Sequence, residues 1–211
     1  MAKNINPEAY RESLRWKILQ VAMREFMSKG IRAVKMDDIA YHLTISKRTL
    51  YEVYSNKEVL LLESIRYMEE QNNRHMMEFS ASKEYHVIDI LMEFYHMQMD
   101  MLSHIIPEFL LELQRYPLVM EYIGECRKLR DIQKRDFFQR GVADGYFRAD
   151  VDYEIVSRIG EASMNHVMES RMYNDYELKH IFRNIILLFI RGFCTEKGIA
   201  EIDMRMKEEK E

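Results

Sequence analysis

Met36-Asp37-Asp38-Ile39-Ala40-Tyr41-His42-Leu43-Thr44-Ile45-Ser46-Lys47-Arg48-Thr49-Leu50-Tyr51-Glu52-Val53-Tyr54 holds the pattern of two short helices about one tight connection. Asp37 and Asp38 stand where carboxylates favour the positive end of a helix, and Ile39, Ala40 and Leu43 give that helix an apolar face. Thr44-Ile45-Ser46 forms the connection, and Ser46 can accept a free backbone N–H at the start of a helix running from Lys47 to about Tyr54. Leu50 and Val53 make the inward face of that second helix. Helical spacing then leaves Lys47, Arg48, Thr49 and Tyr51 at its N-terminal end or outer side. A short helix, a turn and a second helix with outward Lys, Arg, Thr and Tyr is the arrangement that lets one helix lie in a major groove of DNA.

Each of these side chains suits a distinct contact. Arg48 matches the two acceptors of guanine, Thr49 suits a thymine methyl or a phosphate, and Lys47 meets phosphate as a point charge. Lys57 falls in the first turn of the next helix, where free N–H groups also attract phosphate. Tyr51 and Tyr54 offer phenolic donors to the DNA backbone, with core packing an equal reading for Tyr54.

Outward from this stretch the pattern stays helical. Asn6-Pro7 starts a first helix whose stripe is Leu14, Ile18, Ala22 and Phe26, and Gly30 stops it. Ser55-x-x-Glu58 has capping-box spacing ahead of Val59, Leu62, Ile65 and Met68, in a long helix reaching about Phe79. Ile88, Leu91, Met92, Tyr95, Met99 and Leu102 continue at helical period to Pro107. Pro107 and Pro117 bracket a short helix, a longer one closes at Gly145, and Asp152 and Asn174 are candidate caps for the last two. The charged tail after Gly198 reads as frayed. The expected architecture is all-α: a three-helix N-terminal domain over 1–57 with its helix-turn-helix at about 37–54, a helical bundle over 58–200, and a tail over 201–211.

Composition agrees. Seven Gly and three Pro among 211 residues, with 17 Met, favour straight-chain helix formers. The net charge of −4 hides a segregation: residues 1–57 hold eleven Lys/Arg against six Asp/Glu, and the remainder holds 20 against 29. Basic charge at one end suits a phosphate-binding module on a body that does not touch DNA. No apolar run approaches the roughly 18 residues of a membrane span, and Met1 to Asn6 contains no apolar signal core, so a cytoplasmic protein is expected. Cys126 and Cys194 lie far apart and have no metal-ligand spacing, so they read as buried or otherwise unremarkable thiols.

Glu93-x-x-His96 and Glu177-x-x-His180 copy the spacing of di-metal helix bundles, an alternative of a different class. So many Glu among seven His make two such pairs unremarkable, and a di-metal scheme leaves the basic end without purpose. A helical interaction protein without a DNA role is the other alternative, and it leaves Lys47-Arg48-Thr49 unexplained. No enzyme chemistry, metal or cofactor is assigned.

The run Ile18-Leu19-Gln20-Val21-Ala22, Phe26, Gly30, Met36-Asp37-Asp38-Ile39-Ala40, Ser46-Lys47-Arg48-Thr49-Leu50-Tyr51, Tyr54 and Lys57 resembles the TetR (tetracycline repressor) family signature across residues 14 to 65. The segment from Gly141 to Arg148 is similar to the family's usual close of its seventh helix. The resemblance implies a nine-helix, Ω-shaped homodimer with helices 8 and 9 at the interface and a C-terminal pocket for an inducer. The implied function is a ligand-responsive transcriptional regulator, a repressor, on a palindromic double-stranded DNA operator. Three positions depart from the family. Lys35 replaces a capping Thr and gains a charge that can reach phosphate, Thr44 replaces Gly in the turn, and Tyr54 replaces Phe. The DNA-contact set is then Lys35, Ser46, Lys47, Arg48, Thr49, Tyr51, Tyr54 and Lys57. Met97, Met101, Phe109, Leu113, Tyr122, Phe138 and Met164 are candidates to line a pocket for a partly apolar inducer. Ile159, Val167, Ile185, Phe189 and Phe193 are candidates for the dimer interface.

Overall fold

The computed structural model describes residues 7–82 and 85–208, so Asn6 lies outside the described residues. Its helices are α1 (Pro7–Lys29), α2 (Met36–His42), α3 (Lys47–Val53), α4 (Lys57–Ala81), α5 (Val87–Ser103), α6 (Pro107–Leu113), α7 (Pro117–Ala143), α8 (Tyr153–Glu169), α9 (Leu178–Phe193) and α10 (Glu196–Glu208). The chain is all-α: among the described residues the only β pairing is an isolated bridge between Phe147 and Cys194. Ten helices are present there, one more than the nine or so expected.

Local chemistry explains most of the starts. Proline opens α1, α6 and α7, where its missing N–H costs nothing. Asp152 caps α8, its Oδ1 accepting from the N–H groups of Glu154 (3.0 Å) and Ile155 (3.1 Å). Two starts differ from the sequence reading. At α4 the cap is Asn56, whose Oδ1 accepts from Val59 N–H at 2.9 Å, and Ser55 stands one residue too early for that reach. Asn174 caps nothing: Arg171, at φ 55°, reverses the chain into a 3-10 turn over Met172–Asn174, and α9 starts only after Glu177.

The fold divides into two compact units. One comprises His104–Ile123 and the described residues as far as Asn73; the other comprises Arg74–Ser103 and the described residues from Gly124 onward. By packing, the first unit continues beyond residue 57 to Asn73 and takes in His104–Ile123. Helix α6 returns to α1, with Ile106 N–H donating to Met27 C=O at 3.0 Å. Ile18, Phe26, Ile31, Ile39, Leu50, Leu60 and Leu61 are fully buried in this unit.

The second unit is built around α5, α8, α9 and α10. Its aromatic cluster stacks Phe138 on Tyr153 at 4.3 Å and sets Phe193 edge-on to Phe147 at 5.2 Å. Cys126 and Cys194 are buried free thiols, and burial pushes the Cys194 thiol up to about 12. Residues 201–208, expected in a frayed tail, belong to α10. Long-range contacts decide this: Ile202 is fully buried, Arg205 Nε and Nη2 donate to Asp89 at 2.9 and 2.6 Å, and Arg191 pairs with Asp203. Among the described residues no helix is long and apolar enough to cross a membrane.

Two glycines of α7 give a paired test of this packing. A Cβ on Gly141 would fall 2.0 Å from the Phe147 ring, whereas one on Gly124 meets nothing within 4 Å. Gly124→Ala should gain roughly 0.5–1 kcal/mol from helix propensity. Gly141→Ala has the same propensity gain but overpacks a buried ring, at a cost of about 1–3 kcal/mol. Thermal denaturation should move the midpoint up for Gly124→Ala and down for Gly141→Ala.

Candidate nucleic-acid interface

The turn between α2 and α3 is closed by backbone bonds from Leu43 N–H to Ile39 C=O (3.1 Å) and from Ile45 N–H to Ala40 C=O (3.0 Å). Reaching back five residues in this way requires a left-handed residue between them, and Thr44 adopts it at φ 55°. A side chain in that conformation costs roughly 1–2 kcal/mol where glycine would cost nothing. Part of this is offset at once by Ser46, whose Oγ accepts from Thr49 N–H at 3.0 Å, a cap of about 1 kcal/mol.

Leu50 anchors α3 in the core and Val53 is half-buried, so the outward face carries Lys47, Arg48 and Tyr51, all exposed. Thr49 is half-buried and its hydroxyl lies 2.8 Å from that of Ser46, so its polar atom serves the cap. Lys35 is the residue before α2 and its side chain is exposed. It supplies no side-chain acceptor, yet half of a capping box survives, because Asp38 Oδ2 accepts from Lys35 N–H at 3.0 Å.

Both outward cations of α3 are already paired. Lys47 bonds to Asp37 across the turn, and Arg48 Nε donates to Glu52 Oε1 at 2.8 Å. These carboxylates hold both cations above their ordinary values. Solvent-exposed pairs of this kind are weak, so phosphate or a guanine edge can displace the carboxylate at small cost.

Two residues of the predicted set are placed elsewhere. Tyr54 is only 2% exposed, with its ring in the core and the Arg15 guanidinium 5.9 Å from the ring centre. Burial raises its phenol. Lys57 turns inward: its Nζ donates to the carbonyls of Ile31 (2.8 Å) and Val34 (3.0 Å). Desolvation lowers its pKa and the nearby Glu112 carboxylate opposes that. Tyr54 therefore takes the core position, one of its two expected readings, and Lys57 closes the connection between α1 and α2 in place of the phosphate contact expected of it.

Other residues enter the site unannounced. Tyr41 on α2 is 83% exposed, a large aromatic that the inward positions Ile39 and Ala40 of its own helix leave in solvent. Glu52 was readable as the i+4 partner of Arg48, whereas Asp37 meets Lys47 only through the fold of the turn.

The remaining candidates divide. Phe109 and Leu113 are buried in the first unit, where Tyr122 also lies under the Arg66 guanidinium at 5.2 Å. Met97, Met101, Phe138 and Met164 belong to the second unit. None of the seven lines the open groove of about 620 Å3 that Ile159, His166, Val167, Tyr176, His180 and Ile185 help to form beside α8 and α9. Three of the five interface candidates, Ile159, Val167 and Ile185, do line it. Phe189 is half-buried, and Phe193 belongs to the aromatic core. The two Glu-x-x-His pairs make no metal cluster: Glu93 bonds to His75 Nε2 at 2.5 Å, and no group of three His, Cys, Asp or Glu is poised for a metal ion among the described residues.

Three packed helices presenting a capped, outward-basic α3 define a helix-turn-helix DNA-binding regulator. The profile described as "Bacterial regulatory proteins, tetR family" matches residues 18–64, which span α2, the turn and α3. The HTH-type transcriptional repressor KstR2 of Mycolicibacterium smegmatis is 25% identical over 162 residues, 69% of this chain and 73% of that protein. The fold is similar to the ketosteroid transcriptional regulator KstR2 of Mycobacterium tuberculosis, with a TM-score of 0.55 at 19% identity over 87% of this chain and 96% of that one. It is also similar to a transcriptional regulator from Saccharomonospora viridis in complex with choline, with a TM-score of 0.68 at 16% identity over 88% and 100%. Residues 18–64 thus match the N-terminal module of the tetR family of bacterial regulatory proteins, and about two thirds of the chain is similar to an HTH-type transcriptional repressor.

Replacing Arg48 and its acidic partner should move DNA binding in opposite directions. Arg48→Ala should cost about 1–3 kcal/mol on a bound duplex and relax preference at one base position. Glu52→Gln releases the guanidinium and removes a negative charge near phosphate, so it should tighten binding a few-fold. Fluorescence anisotropy with a labelled duplex measures both, and equal weakening by the two variants would contradict this assignment.

Proposed function

We propose that the chain is a ligand-responsive repressor that binds a palindromic operator as a homodimer. The observation that carries this reading is the Ser46-capped α3 with Lys47 and Arg48 exposed at its N-terminal end. In this reading Arg48 reads a base edge, Lys47 and Lys35 hold phosphates, and Tyr51 donates to the backbone. Residues 1–57 make the DNA contacts, and residues 58–200 hold the effector and the partner. Similarity to a named repressor and to a ketosteroid regulator supports repressor action and a partly apolar effector, for which Met97, Met101 and Met164 are the adaptable lining.

The partner is a second copy. Helices α8 and α9 leave Ile155, Ile159 and Leu188 exposed, the last to 73%, beside the groove lined by Ile159, Val167 and Ile185. A two-fold arrangement buries one such face against its equal. Two recognition helices then address half-sites one helical turn, or a small multiple of it, apart. An effector shifts occupancy only by binding more tightly to the spacing that does not fit the operator.

Selection from a random duplex pool should return an inverted repeat, and binding should fall steeply with salt. Recovery of no sequence would contradict the regulator reading. Light scattering should give twice the chain mass at micromolar concentration, and Leu188→Glu should halve it while leaving helical circular dichroism unchanged. A monomeric unmodified chain would remove the homodimer from the proposal.

A further inference from the structure

The connection between α1 and α2, residues 30–35, is held by two side chains distant in sequence. Lys57, at the start of α4, donates Nζ protons to Ile31 C=O at 2.8 Å and Val34 C=O at 3.0 Å. Glu112, on α6, accepts from Arg32 N–H with Oε2 at 2.8 Å. Both belong to the first compact unit. The approach is close: Gly30 sits at φ 85°, and a Cβ there would come within 3.3 Å of the same Glu112 oxygen. The connection ends at Lys35, the residue that opens α2. Two carbonyls and one amide that a loop would ordinarily leave to water are thus bound by groups of matching polarity.

We propose that Lys57 and Glu112 are positioning residues for DNA binding, which grip the backbone of residues 30–35 and so fix the seat of α2 and, through the turn, of α3. This rests on the reading of α3 as the groove-entering helix. It assigns Lys57 a job inside the protein, where its position at a helix start would suggest a phosphate contact. The acidic Glu112, which no DNA-binding pattern requires, enters the same machinery. Desolvation lowers the Lys57 pKa, and the Glu112 carboxylate acts against that shift.

The test has one arm without DNA and one with it, both on the full chain. Amide exchange followed by NMR should find Arg32 N–H protected. Glu112→Ala and Lys57→Met should each speed its exchange at least tenfold, with amides of α9 unchanged. Glu112→Gln, whose amide oxygen can still accept, should retain most of the protection. Unchanged Arg32 exchange in both disruptive variants would overturn the proposal. In the second arm, binding to a duplex selected by the unmodified chain is titrated with salt. Lys57→Met should bind at least tenfold more weakly with the same slope of log affinity against log salt. A slope shallower by about 0.9 would identify Lys57 as a phosphate contact and overturn its assignment. If Lys57→Met fails to fold by circular dichroism, the Ala and Gln variants at 112 carry both measurements. Failure of the unmodified chain to select any duplex would sink the groove reading alone, because the exchange arm decides the clamp without DNA.

Discussion

An ammonium group that leaves water must be solvated by something else, and Lys57 meets that requirement with the carbonyls of Ile31 and Val34. The first unit is organised around this substitution. The carbonyls lie in the only covalent connection between α1 and α2, so the charge is stabilised only when that connection has its native path. The same path presents Arg32 N–H to Glu112, and the carboxylate in turn favours the ammonium. Removing one member leaves the others partly desolvated without partners, a larger loss than the worth of any single bond.

The helix-turn-helix hung from this connection is pre-organised at some cost. Thr44 occupies a left-handed conformation, Ser46 and Thr49 lock the start of α3, and Asp38 ties the Lys35 N–H to the first turn of α2 although Lys35 itself caps nothing. A rigid presentation of α3 reduces the ordering cost of binding. The surface it presents is electrostatically neutralised in the free protein, since Lys47 and Arg48 each hold a carboxylate. This tempers the basic excess counted over the first 57 residues: part of it is internally compensated, and the half-buried Lys57 directs its ammonium to the Ile31 and Val34 carbonyls.

What the sequence conveyed depended on range. Caps and prolines act within four residues, so α1, α3, α6, α7 and α8 could be located from Pro7, Ser46, Pro107, Pro117 and Asp152 alone. The all-α class and the inward faces of α2 and α3 followed from periodicity. Contacts between distant residues were not legible. The pairing of Arg205 with Asp89 spans 116 positions, and it holds a charged segment as α10 where local composition suggests a tail. Lys57 and Tyr54 are of the same kind, because a side chain at a helix start or end can face either core or groove, and only the packed neighbours choose. The acidic partners Asp37 and Glu112 were missed for the same reason.

Helix α9 presents the same difficulty in its sharpest form. Leu178, Ile181, Phe182, Ile190 and Phe193 are buried, Ile185 and Phe189 are half-buried on the same face between them, and Leu188 at the edge of that face is exposed. Apolar residues thus cover too much of the helix for period alone to separate the core side from an outer side, which is how Phe193 came to be assigned to an interface although it packs on Phe147. The surplus is itself informative. An apolar arc broader than the core of its own unit covers leaves its edge, at Leu188, to a second apolar neighbour. Together with exposed Ile155 and Ile159 on α8, it leaves a surface of the kind that monomers seldom retain. Were that face covered by a second copy, as proposed above, each α3 would serve one half-site and operator affinity would depend on protomer concentration.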